Sequence, residues 1–254
     1  MRAALFAILF AAVMAGPAGS QTPPSGFRLT PRLPAEIEVE AQILAGANAF
    51  RHENGLRGLT PNNVLAGEAR AYAAYLARTG AFSHTADGRD PAGRAQAAGY
   101  AYCEVAENLA RIEENGTRVA DLTGMFMSGW ERSPGHRHNL LDPQVIETGV
   151  GVARPPGRPD AYVAVQVFGR PLAERYAFRV ANRSDRTIAY DVDGRQERLE
   201  PSTTVTYTVC DPTVVTFGGG LGSFHARAGA LYVLRPDANG RISVAVAGDE
   251  RAPD

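Results

Sequence analysis

Residues 133–143 read SPGHRHNLLDP and lie just downstream of Trp130, the only tryptophan in the chain. Ser133 followed by Pro134 is a helix start: serine suits the N-cap, and proline suits the first helical position, where no N–H is required. Asp142-Pro143 ends the element, because the residue before a proline is pushed out of the helical region. His136 falls in the first turn, where the positive end of the helix dipole disfavours an imidazolium. A neutral ring is the form that a metal ligand or a general base requires. At 3.6 residues per turn, His136 and His138 point about 200° apart and cannot easily share one metal ion. One histidine is therefore a site candidate and the other belongs to the surface, while Leu140 and Leu141 are expected to face inward.

Helical patterns precede this stretch. AEIEVEAQILAGANAFRHENG (35–55) places Ile37, Leu44, Ala47 and Phe50 near one face and ends at Gly55. NNVLAGEARAYAAYLARTG (62–80) carries the stripe Leu65, Ala69, Tyr72, Ala73 and Leu76, with Asn62 or Asn63 to cap it and Gly80 to close it. DPAGRAQAAG (90–99) is a short helix with Asp90 as cap and Pro91 at its first position. TRVADLTGMFMSGW (117–130) spaces Val119, Leu122, Phe126 and Trp130 helically behind a Thr117 cap. Strands follow: ETGVGVARP and DAYVAVQVFG, β-branched and bounded by Gly and Pro, suit an antiparallel pair. Residues 35–170 are thus an α+β domain with a small sheet. Beyond Pro171, short alternating segments separated by Asn182–Asp185, Asp193-Gly194 and Asp211-Pro212 predict a small all-β, sandwich-like domain over 172–250. A hairpin crosses Ala238-Asn239-Gly240. Residues 249–254 read as a tail.

The chain has 254 residues with a formal net charge of −1, so no overall field favours nucleic acid or an anionic membrane. All its Lys+Arg positions are arginine. Met1-Arg2, the apolar run AALFAILFAAVMA (3–15) and the small residues Ala18 and Ser20 have the layout of a signal peptide over 1–20, with a Pro-rich linker over 21–34. The run is short for a membrane span, which needs about 20 apolar residues. No later segment is apolar enough to span, so the mature protein is expected to be secreted or periplasmic. Cys103 and Cys210 are the only cysteines. Export makes their pairing plausible, and two buried thiols are the alternative.

Partners for a site histidine must come from elsewhere. FSHTADG offers His84 in the loop after a helix, and EVAENLA offers Glu107. Periodicity alone does not bring them together, and Glu107-Asn108 also reads as a simple helix cap. FSHTADGRDPAGRAQAAGY, AENLA, a tryptophan two residues ahead of SPGHRHNLLDP, TGVGVA and YVAVQVFG occur in that order. This series resembles the bacterial branch of the CAP (SCP) superfamily of cysteine-rich secretory, antigen 5 and pathogenesis-related proteins, from about residue 40 to 169. The resemblance implies an α-β-α sandwich whose cleft is lined by two histidines and two glutamates. By motif, His84, Glu107 and His136 match three of the four. The second glutamate's place is taken by Ser133, and Glu131 lies only one residue after Trp130, so a mechanism needing two carboxylates is in doubt.

Three functions follow from that resemblance. One is an extracytoplasmic binding module in which His84 and His136, with a carboxylate and a water, hold Zn²⁺ or another divalent cation. A second is a peptidase-like hydrolase with Glu107 as general base. Its serine-nucleophile variant, Ser133 with His136, is disfavoured because an N-cap serine is occupied by backbone N–H groups. The third is an interaction protein whose cleft takes a lipid, sterol or envelope component, with the β domain supplying adhesion to a partner or the envelope; that the β domain only shields or braces the first domain is the favoured alternative.

Overall fold

In the computed structural model, which describes residues 35–113, 119–158 and 160–248, the helical patterns of the first half and the alternating patterns of the second become separate layers. The expected signal peptide, linker, Thr117 cap and C-terminal tail lie outside the described residues. Helix α1 (Glu36–Glu53) leads through the two-residue strand β1 (Thr60–Pro61) into α2 (Asn63–Thr79) and α3 (Pro91–Ala97). Strand β2 (Tyr102–Ile112), helices α4 (Val119–Arg132) and α5 (Pro134–Leu141), and strands β3 (Glu147–Ala153) and β4 (Tyr162–Pro171) complete the first region. The sheet order is β1-β3-β4-β2, which leaves β2 at an edge.

Capping follows the side chains. Asn62 Oδ1 accepts from the backbone N–H groups of Val64 and Leu65, and Gly80 takes the left-handed conformation that closes α2. Asp90 accepts from Gly93 N at 2.6 Å, ahead of Pro91. Ser133 occupies the N-cap position of α5, yet its hydroxyl makes no capping hydrogen bond. The expectation that the cap engages it is therefore wrong: the sequence supplies the right residue, but its side chain does not turn back onto the helix.

Strand β4 sorts the core. Tyr162, Ala164 and Phe168 belong to a core with Val39 and Ile43 of α1, Leu122, Phe126 and Trp130 of α4, and Leu140 of α5. Val163, Val165 and Val167 belong to a second core with Leu65, Ala69, Tyr72 and Leu76 of α2. Period-two alternation thus gives the sheet two covered faces and an α-β-α sandwich. Two expectations shift in detail. On α1 the buried positions are Val39, Ile43 and Ala47, while Ile37 is 58% exposed. Leu141 is only half-buried beside the fully buried Leu140.

Helix α2 rests directly on β3. A Cβ at Gly149 would lie 2.1 Å from Ala66 N, and one at Gly151 would lie 2.2 Å from the Ala69 carbonyl carbon. Only hydrogen at these positions lets a helix backbone come so close.

The second region holds β5 (Tyr176–Asn182), β6 (Ile188–Val192), β7 (Arg195–Leu199), β8 (Thr204–Val209), β9 (Val214–Phe217), β10 (Gly222–His225), β11 (Leu231–Pro236) and β12 (Ile242–Ala247). They form two four-stranded sheets, β10-β9-β6-β7 and β12-β11-β5-β8. Both sheets contribute to one core that includes Phe178, Tyr190, Phe217, Tyr232 and Leu234. The β11–β12 hairpin closes from Pro236 to Ile242, around the predicted turn. The two regions are tied by Leu172 N donating to Ala101 O at 2.9 Å and by a disulfide between Cys103 of β2 and Cys210. Among the described residues no helix is long and apolar enough to cross a membrane.

Two stability outcomes follow. Gly151→Ala is expected to cost about 3 kcal/mol or more, because the new methyl meets backbone rather than a movable side chain. An unchanged urea midpoint would show that α2 does not rest on β3. The disulfide spans a separation of 107 residues. Replacing both cysteines by serine is expected to cost on the order of 4 kcal/mol in chain entropy, measured by the same unfolding curves.

Candidate functional site

Strand β2 builds the site because its alternation sends neighbouring residues to opposite faces. Glu107 lies on the same side as Leu109, toward α3, whereas Asn108 lies toward α5. The dipeptide read as a possible helix cap is therefore the middle of a strand, paired with Val167 and Gln166 of β4. Its polar residues obscured that assignment.

On the first face, Glu107 is fully buried at its side chain. One carboxylate oxygen lies 2.7 Å from His84 Nδ1, and the other accepts from Arg94 Nη2 at 2.6 Å. Burial raises the Glu107 carboxyl above its ordinary range, while Arg94 and then His84 pull it back. A carboxylate held by a guanidinium on one oxygen accepts on the other, so His84 donates from Nδ1 and keeps a lone pair on Nε2. The His84 side chain is 49% exposed.

The loop carrying His84 is pinned from below. Tyr72 Oη donates to Ser83 O and accepts from Ala86 N, and Tyr75 Oη donates to Ala86 O at 2.9 Å. Arg94 Nη1 adds bonds to the carbonyls of His84 and Arg89, both at 2.9 Å, and to Asp87 Oδ1 at 3.1 Å. The same guanidinium lies 3.4 Å over the Tyr72 ring and donates from Nε to Glu68 Oε1 at 2.8 Å.

On the second face, Asn108 Nδ2 donates to His136 O at 3.1 Å. Asn139 Nδ2 donates to Glu107 O at 3.2 Å and to Asn108 Oδ1 at 2.9 Å. These bonds fasten α5 to the open edge of the sheet. Its C-terminus is held by buried Arg51, whose Nη1 donates to the carbonyls of Leu140 and Asp142. His136 is half-buried, and its ring is held below the usual histidine value by burial first and by the His84 charge second. His138 is exposed, on the far side of the helix.

The structure joins His84 to Glu107, and it holds the His136 backbone through Asn108, with Ser133 half-buried at the start of α5. No hydrogen bond joins Ser133 to His136 among the described residues, so the pair lacks the contact of a nucleophile and its base. Glu107 stands behind His84 rather than beside an open coordination position. Among the described residues no set of three or more His, Cys, Asp or Glu side chains is placed to hold a metal ion. The donor chemistry that remains, two imidazoles with a carboxylate behind one of them, is that of an open two-histidine site. Arg94, Asn108 and Asn139 hold this arrangement and were not singled out by sequence. The one signal for Arg94 is a charged residue amid alanines in a short capped helix.

A family model described as "CAP: Cysteine-rich secretory protein family" matches residues 44–168. No curated protein matches the chain. Among solved structures, an outer surface protein of Borrelia burgdorferi aligns at 20% identity and TM-score 0.46, over 53% of this chain and 93% of that one. An extracellular SCP-domain protein of Bacillus anthracis aligns at 24% identity and TM-score 0.44, over 53% and 41% of the two chains. A cysteine-rich secretory protein of Staphylococcus aureus aligns at 24% identity and TM-score 0.40, over 53% and 39%.

Glu68 supplies a titration test of the Arg94 cluster. Burial raises its carboxyl from the ordinary 4.5 to about 7, against the pull of Arg94. Between those values the folded protein holds a proton that the unfolded chain has lost. The resulting stability is full below about pH 4.5 and is lost as pH rises through about 7. Glu68→Gln is expected to remove this loss, on the order of 3 kcal/mol. Parallel stability–pH curves for variant and parent would contradict it.

Proposed function

The chain carries a domain of the CAP, or cysteine-rich secretory protein, family at residues 44–168, and on that premise we propose that it is an exported binding protein whose cleft holds a divalent cation or a small ligand between His84 and His136. The observation that carries this reading is the bond from His84 Nδ1 to the buried Glu107 carboxylate at 2.7 Å. A carboxylate behind an imidazole fixes the tautomer and makes the outer nitrogen a better donor to a metal. His136 supports the reading because its lowered pKa keeps it neutral at physiological pH. Water or a bound ligand would complete the coordination of Zn²⁺, which tolerates open positions. Ser133 lines the same cleft as a hydroxyl donor and acceptor. Export rests on the pattern of residues 1–20 and accords with the family's secretory description.

Binding is favoured over hydrolysis by the state of Glu107. Both of its oxygens are engaged and its side chain is buried, so it lacks the access to substrate or water that a general base needs. Glu107 acts instead as the residue that orients His84.

Zn²⁺ titration of the full chain tests the proposal. Glu107→Gln is expected to weaken binding by about 10–100-fold, and His84→Ala/His136→Ala is expected to abolish it. Equal metal content in the parent protein and the double variant would remove the cation reading.

A further inference from the structure

A groove of about 640 Å³ runs along α2 and α3, and its walls include Glu68, Tyr75, Arg78, Asp87, Arg89 and Arg94; His84, Glu107 and His136 are not among its lining residues. That volume suits a small ligand. Glu68 lies on its wall with a side chain only 4% exposed. Its Oε1 is matched by Arg94 Nε, but its Oε2 is buried with no hydrogen-bond partner among the described residues. Buried carboxylate oxygens are ordinarily matched by donors, so this one marks a place for a donor that the chain does not supply.

The charges around it indicate what kind of donor. Glu68, Asp87 and Glu107 all bond to the single guanidinium of Arg94, which leaves negative charge in excess at the base of the groove. At the rim, Arg78 and Arg89 are exposed, and neither is in an ion pair among the described residues. Arg78 lies 5.6 Å over the Tyr75 ring, which offers an apolar flank. A simple cation would suit Glu68 but be repelled by the rim. A simple anion would meet the reverse. A ligand with both charges suits both ends.

We infer that this groove binds a small zwitterion, an amino acid or short peptide, with its ammonium at the Glu68–Asp87 end, its carboxylate on Arg89 and Arg78, and its body against Tyr75. The groove has walls separate from the histidine pair, and a ligand can bind in it whether or not a metal is bound there. The groups facing Glu68 are Arg94 of α3, Asp87 of the preceding loop, Glu107 of β2 and Tyr72 of α2 itself. Because Glu68 protonates near pH 7 when the groove is empty, an ammonium competes with that proton, and binding strengthens as pH rises toward that value.

Calorimetric titration of the full chain with dialanine, ethylamine and propionate tests the inference. Dialanine is expected to bind saturably at one site, about eightfold more tightly at pH 7.5 than at pH 6, and more tightly than either single-charge probe. Glu68→Gln is expected to weaken it at least about tenfold, the scale of a lost charged hydrogen bond. Arg89→Glu, an exposed change that leaves the Arg94 cluster intact, is expected to do the same, so a misfolded Glu68 variant would not remove the test. His84→Ala/His136→Ala, which removes the histidine pair, is expected to retain saturable dialanine binding at one site. Absence of saturable binding, full binding by Arg89→Glu, or ethylamine or propionate binding as tightly as dialanine would overturn the proposal.

Discussion

One buried guanidinium holds together the parts of this domain that matter for its chemistry. Arg94 is 6% exposed and bonds to Glu68 of α2, Asp87 and two carbonyls of the loop, and Glu107 of β2. Its planar face lies on the Tyr72 ring. A lysine could supply the charge but not the five-donor fork that meets so many acceptors in one plane. Such a buried cluster is weak evidence of stability by itself, because desolvation offsets much of the attraction. What it provides is position. The loop bearing His84 has few apolar anchors, and without Arg94 its carbonyls and the two buried glutamates would lack their shared donor.

The second constraint is the edge position of β2. An interior strand would have both backbone edges filled by neighbours. Here the Glu107 carbonyl is free to receive Asn139, which lets α5 dock beside the sheet. Alternation then divides the work: Glu107 turns toward Arg94 and His84, and Asn108 turns toward the His136 backbone. The loop bearing His84 and helix α5, 52 positions apart at His84 and His136, are thus both fastened to this one edge strand.

Much of this fold is legible in the sequence because burial there is periodic. The stripe from Leu65 to Leu76 and the alternating Val163, Val165 and Val167 each declare both an element and its buried face. Strand β2 is the counterexample. Its segment YCEVAENLARI places Glu and Asn where a strand pattern would have apolar residues, since those side chains bond to other side chains rather than to a core. Site residues therefore erase the pattern that would reveal the strand holding them. The position of Glu107 came from ordered motifs, and Arg94 and the unbonded Ser133 hydroxyl required coordinates. Periodicity reports the average environment of a face; it does not report which acceptors a single arginine reaches.

The shared guanidinium also has an energetic consequence. Glu68 and Glu107 are bonded to different nitrogens of Arg94, and the Glu107 charge itself raises the Glu68 carboxyl. Neutralising Glu68 therefore leaves more of the cation's field to Glu107, and removing charge from Glu107 does the same for Glu68. Coupling of this kind is reciprocal by linkage, whatever its size. It travels through two hydrogen bonds and one rigid planar group, with no change of backbone required. The groove along α2 and the His84–Glu107 pair at β2 are thus distinct in position but joined in their electrostatics, and a proton placed on Glu68 is felt at that pair.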